Sequence, residues 1–189
     1  WRASRRLELV RIRELLRLGL PAALQLLVEI MAFTVTAILI GRLGALALAG
    51  HQIALNVASF TYMVPLGIGS AAAVRVGHAY GARDSAGATR AGWMAIFFGQ
   101  AFMFCAALVL ILFPKYIARI YSPQPEVISM GAKLLMVAAV FQLFDGMQAV
   151  VTGALRGAGN TRTPMMAHLL GYWMIGMPLG AFFCFKLGW

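Results

Sequence analysis

Of the 189 residues, 61% belong to the AVILMFWYC set and only 12% are charged, with a mean hydropathy of +0.82. A soluble chain is about 45–50% apolar with glycine included and about 25% charged, which excludes an ordinary soluble domain and makes lipid the expected solvent. The formal charge of +10 first suggests nucleic acid, but the cations fall between apolar blocks and no zinc-finger, RNA-binding or basic-zipper motif accompanies them, so that partner is excluded as well.

Residues Trp1–Leu18 carry Arg2, Arg5, Arg6, Arg11, Arg13 and Arg17 among leucines, valine and isoleucine. That pattern predicts a basic amphipathic helix at the interface, leading into a span. Apolar blocks then follow over Leu20–Ile40, Leu48–Val74, Trp93–Phe113, Val127–Gly153 and Pro164–Leu187. At about 20 residues per crossing, this predicts an all-α membrane bundle of five spans. Pro21 suits a first helical turn, while Pro65 and Pro178 predict kinks or local breaks. The expected organisation is a connection over residues 1–18 and a membrane bundle over 19–189. The chain opens in mid-stream and stops beside an apolar block, as a fragment would.

The basic residues predict orientation. A cytoplasmic N-terminus places the six N-terminal arginines with Arg75, Arg83, Arg90, Arg156 and Arg162 inside, leaving Arg42, Lys115, Arg119, Lys133 and Lys186 outside. The excess fits the positive-inside rule and a multi-pass protein of the cell's inner (plasma) membrane.

Glu8, Glu14, Asp84 and Glu126 fall in interfacial or loop regions, but Glu29 and Asp145 lie inside predicted spans. A charge at a span centre costs about 2.5–3.5 kcal/mol on insertion scales, and such residues face the bundle interior or a wet cavity. Neither acid has a basic residue within one turn. Gln25 precedes Glu29 by four residues, and Gln142 and Gln148 flank Asp145 by three, so each acid shares a helical face with amides. A carboxyl poised between protonated and ionised forms can exchange a proton or small cation for a cationic cargo. The alternative is a protonated acid that only packs between helices. Asn56 is a further candidate for the polar interior, and His51 reads as an interfacial hydrogen-bonding residue. Cys105 and Cys184, both in apolar blocks without metal-ligand spacing, read as small packing residues. Gly77–Gly81, Gly153–Gly157 and Gly176–Gly180 have the small-xxx-small spacing of close helix approach. No Walker, Rossmann or metalloprotease motif is present, so neither ATP-driven pumping, an enzyme nor a bound cofactor is expected.

GHQIALN, RVGHAYG and QLFDGMQ occur in an order and spacing that resembles the multidrug and toxic compound extrusion (MATE) family, in particular its NorM-like bacterial branch. The similarity runs over nearly the whole chain, through YWMIGMPLG at Tyr172–Gly180. It implies a twelve-span protein of two six-helix lobes, of which this chain resembles spans seven to eleven of the second, without the first lobe and the twelfth span. By position in the matching stretches, Glu29 and Asp145 correspond to the family's coupling acids of the seventh and tenth spans, with Gln25, Asn56, Gln142 and Gln148 as cargo or cavity candidates. The implied activity is antiport of amphipathic, mostly cationic compounds against H⁺ or Na⁺, for which a fragment would not suffice alone. The alternatives are a lipid-linked saccharide flippase of related fold, which requires cations in the cavity, and a non-transporting membrane scaffold.

Overall fold

The computed structural model describes residues 9–176 and Pro178, and within them every regular element is helical. The helices are α1 (Leu9–Gly41), α2 (Ala45–Gly81), α3 (Ser85–Leu112), α4 (Pro114–Tyr121), α5 (Pro125–Gly157) and α6 (Arg162–His168), which runs into a π-helical segment, Leu169–Gly176. Among the described residues four helices are long and apolar enough to cross a membrane: α1 from Leu15, α2, α3 and α5. The fifth expected span opens with α6 and the π-helical segment, and its remainder, with Cys184, Gly180 and Lys186, lies outside the described residues.

Local chemistry sets the boundaries. The Ala82 N–H closes α2 on the His78 carbonyl, and Arg83 turns the chain with a φ of 59°. Asp84 then caps α3 by accepting from the Gly87 N–H at 2.8 Å, satisfying a donor that the first turn leaves without an intrahelical partner. With that cap, α3 starts at Ser85 instead of Trp93, and the polar stretch Gly81–Arg90 shrinks to a tight turn. Pro114 and Pro125 occupy the opening turns of α4 and α5, where a missing N–H costs nothing. Before α6, the Asn160 side chain accepts from the Thr163 N–H at 3.1 Å and donates to its hydroxyl at 2.9 Å.

Two proline expectations are revised. Pro21 lies inside α1, not in its first turn, because the chain is already helical from Leu9 among the described residues and continues into the span. Pro65 lies buried within an α2 that is helical from end to end, so the break expected at PLGIG is absent. Neighbouring helices supply the packing that holds a membrane helix together across a proline.

The chain divides into two compact units, one of residues 1–34 and 159–189 and the other of residues 35–158. In the second unit α5 is the common wall, packing against α2, α3 and α4. Its core gathers Ile53 and Ala54 of α2, Ala107 and Leu110 of α3, Ala118 of α4, and Val127, Leu135 and Ala139 of α5. Toward the other end the α2–α5 contact consists of small residues. Gly69, Ala73 and Gly77 face Gly153 and Gly157 so closely that a Cβ on Gly153 would collide with the Gly69 carbonyl, and one on Gly157 with that of Ala73. Between lipid-bathed helices this approach is the source of attraction, since dispersion acts at short range and the hydrophobic effect adds little. The glycine spacing at 153–157 is therefore a helix seam. Gly81 faces open space, so the seam on α2 runs through Gly69, Ala73 and Gly77 instead of Gly77–Gly81.

Candidate functional site

In the first unit, Gln25 and Glu29 stand one turn apart on one face of α1, the spacing that puts side chains on the same side of a helix. His168, the last residue of α6, closes over both. Its Nε2 lies 3.2 Å from Gln25 Nε2 and its Nδ1 lies 3.7 Å from Glu29 Oε2. Gln25 and His168 are 4% and 5% exposed, and the Glu29 side chain is 14% exposed, so the three meet in the interior of the unit. At 3.7 Å the imidazole–carboxylate separation is too long for a hydrogen bond but within ion-pair reach. Aromatic residues complete the enclosure. Tyr172 packs against the His168 ring and against Phe33, and the Trp173 Nε1–H donates to the Val28 carbonyl at 3.3 Å. The π-helical segment carries both rings, in keeping with the frequent placement of such turns at functional sites.

The second unit holds the other acid. Gln142 is 1% exposed and its Oε1 accepts from the Thr61 hydroxyl of α2 at 3.0 Å. Its Nε2 is buried without a hydrogen-bond partner among the described residues. Asp145 follows one turn on, half-buried with one carboxylate oxygen shielded from solvent, and Gln148 follows it, also half-buried. The structure thus puts Gln142, Asp145 and Gln148 on adjoining turns of α5 and adds Thr61 from α2.

Asn56, expected to add to the polar interior, is exposed. Ile53 and Ala54 turn into the core, and at 100° per residue Asn56 sits roughly 110° around the helix from their midpoint, on the flank of the buried face. His51 is half-buried near the start of α2. Cys105 is exposed and lines a largely apolar cavity of about 470 Å³ between α2, α3 and α4, with Phe60, Thr61 and Phe102. A groove of about 720 Å³ between α2 and α3 carries Arg75 and Arg90 beside Met94 and Phe98. Among the described residues no three His, Cys, Asp or Glu side chains converge as a metal site would require.

Two members of these clusters were not anticipated. His168 sits in MMAHLLGYW, the opening of the fifth apolar block, and its signal was that of any lone ionisable residue in such a block. Thr61 had no comparable signal.

Residues 21–182 match the MatE family. The chain is 49% identical over 180 residues to the multidrug resistance protein NorM of Burkholderia vietnamiensis, covering 93% of this chain and 39% of that protein. It is 46% identical over 191 residues to a probable multidrug resistance protein NorM of Burkholderia pseudomallei, covering 98% and 41%. The chain thus spans about two fifths of the length of these relatives. In fold it is similar to a MOP superfamily transporter from Pyrococcus furiosus, described as having a binding pocket of reverse polarity that suggests a different function. That match has a TM-score of 0.82 at 20% identity and covers 93% of this chain and 39% of that one.

Proposed function

Because the chain belongs to the MatE family, we propose that it forms part of a cation-coupled antiporter that exports amphipathic, mostly cationic compounds across the inner membrane. In this reading it is the second-lobe portion, spans seven to eleven, working with a first lobe and a twelfth span, and its N-terminus is cytoplasmic. The observation that carries the proposal is Glu29. It is a carboxylate in an apolar helix, enclosed by an imidazole and an amide, with no arginine or lysine paired to it among the described residues. A carboxylate so placed is held ready for a mobile cation instead of being neutralised by a fixed one.

Glu29 and Asp145 each take part. Facing outward, they bind the coupling ion, lose their charge and release the cargo. Facing inward, they give the ion up, regain the charge and accept the next cationic cargo. The amide of Gln142, with a buried N–H group and no acceptor among the described residues, offers a hydrogen bond to a guest beside Asp145. Gln25, Gln148 and Asn56 are the other cargo-facing candidates. A lipid-linked saccharide flippase would need cations where these acids stand. Arg75 and Arg90 lie instead in an exposed groove between α2 and α3.

The test is efflux of a fluorescent lipophilic cation from proteoliposomes of the full-length protein under an imposed cation gradient. Glu29→Gln and Asp145→Asn are each expected to abolish gradient-driven flux at normal folding and insertion. If both variants transport like the parent, the antiport assignment fails and the two acids are packing residues.

A further inference from the structure

We infer that the ion handled at Glu29 is the proton, taken up and released by the Glu29–His168 ion-pair couple as a unit, and that Gln25 selects which imidazole nitrogen faces the carboxylate. The inference rests on the antiport reading above and names its coupling ion at this site. It starts from the donor set. Alkali and alkaline-earth cations are held by several oxygen ligands, supplied by carboxylates, carbonyls, amide oxygens or water. Among the described residues the groups converging on one another are a single carboxylate, an imidazole and one amide, which offer a metal cation at most two side-chain groups with oxygen. An imidazole at 3.7 Å from the carboxylate is a poor neighbour for sodium and a good one for a proton, because histidine is the side chain whose ordinary titration falls near neutral pH.

The hydrogen-bond directions give each residue a part. Gln25 Nε2 carries only donor hydrogens, so at 3.2 Å it donates to the lone pair of His168 Nε2. Neutral His168 must then hold its own proton on Nδ1, the atom facing Glu29. In this state the pair has a net charge of −1, which suits a cationic cargo. A proton from water brings the pair to zero, either as carboxylic acid beside neutral imidazole or as carboxylate beside imidazolium. The cationic cargo then loses its attraction, and loss of the proton to water on the other side restores the charge. Formation of imidazolium places a second hydrogen on Nε2. The Gln25 amide must then turn its oxygen toward the ring, which makes this amide the piece that moves with the proton. The titratable group facing His168 from α1 is Glu29, and the one facing it from the π-helical segment is Tyr172. Arg17 is eight residues from Gln25 and Arg162 six from His168, about 12 and 9 Å along their helices.

The test uses the full-length protein in proteoliposomes, with a pH gradient and a sodium gradient imposed separately. Flux driven by the pH gradient alone is the expected result. His168→Gln keeps a hydrogen-bonding side chain of similar reach but removes the titration. It is expected to leave proton-driven flux running with its dependence on pH flattened, since one of the two titrating groups is gone. A merely structural histidine would lower the rate at every pH and leave the profile's shape unchanged, which overturns the role of His168. Flux driven by sodium alone overturns the inference and leaves antiport standing. No flux under either gradient in folded protein removes the antiport reading itself.

A second measurement needs no transport. Trp173 is anchored to the Val28 carbonyl beside Glu29, so its emission, taken as the difference from Trp173→Phe, reports on this site. It should shift with pH, lose that shift in Glu29→Gln, and be indifferent to exchange of sodium for choline. A sodium-dependent shift at constant pH, abolished by Glu29→Gln, would overturn the inference.

Discussion

Replacing Gly153 by alanine tests whether the α2–α5 seam is the contact that holds the second unit together. A Cβ there would sit against the Gly69 carbonyl oxygen, 2.5 Å from its carbonyl carbon and 2.7 Å from its Cα. All three atoms are backbone, so no rotamer change relieves the clash and the helices must separate along their length. Overpacking of this kind costs about 1–3 kcal/mol. Alanine also returns about 0.8–1.0 kcal/mol of helix propensity relative to glycine. Gly67 provides the control, since it lies in α2 and its Cβ would meet nothing within 4 Å. Gly67→Ala should therefore show the propensity gain alone, and the two variants should differ by the overpacking cost of about 1–3 kcal/mol. For a chain of 150–250 residues each kcal/mol moves Tm by about 2–4 °C, which makes the expected separation about 2–12 °C. Thermal unfolding in detergent, followed by circular dichroism, measures it. If Gly153→Ala melts with or above Gly67→Ala, the seam does not carry the stability assigned to it.

Two further substitutions probe polar contacts within the same unit. Thr61→Val removes the donor to Gln142 Oε1 and leaves a buried acceptor alone, at a cost of about 1–3 kcal/mol. Adding Gln142→Leu should recover most of that loss, a non-additivity that a double-mutant cycle of unfolding free energies would read directly. Asp84→Ala deletes the cap of α3 and should lower stability by about 0.5–2 kcal/mol, whereas Asp84→Asn should stay close to the parent in the same melt.

Legibility in the sequence followed the range of each interaction. Hydropathy depends on composition over about 20 residues, so the four helices long and apolar enough to cross a membrane among the described residues could be read directly, and Glu29 and Asp145 lie within two of them. Gln25 was legible beside Glu29 because helical periodicity relates residues four apart. His168 meets Gln25 across 143 positions and Thr61 meets Gln142 across 81, and no local pattern encodes such a partner. Asn56 shows a different limit: its polarity is visible in the sequence, but that it is exposed while Ile53 and Ala54 beside it are buried is set by how α2 packs. Helix ends were misplaced where a single capping side chain outweighed composition, as Asp84 does before Ser85.

The position of α5 as the common wall has a consequence for the order of synthesis. α2 and α3 leave the ribosome well before their shared partner, so the Gly69–Ala73–Gly77 stripe enters the bilayer before the α5 surface that fits it. From Gly77 to Gly157 the chain must grow by 80 residues, about 4–16 s at ordinary elongation rates of about 5–20 residues per second. For that interval α2 presents lipid with a surface shaped for another helix, and any other small-residue helix nearby can compete for it. Slowing translation between Leu112 and Pro125 would lengthen the exposure, and speeding it would shorten it. The yield of correctly assembled protein should therefore respond to the codons of the Leu112–Pro125 segment, whose helix α4 finds its own place against α5 only when that wall arrives.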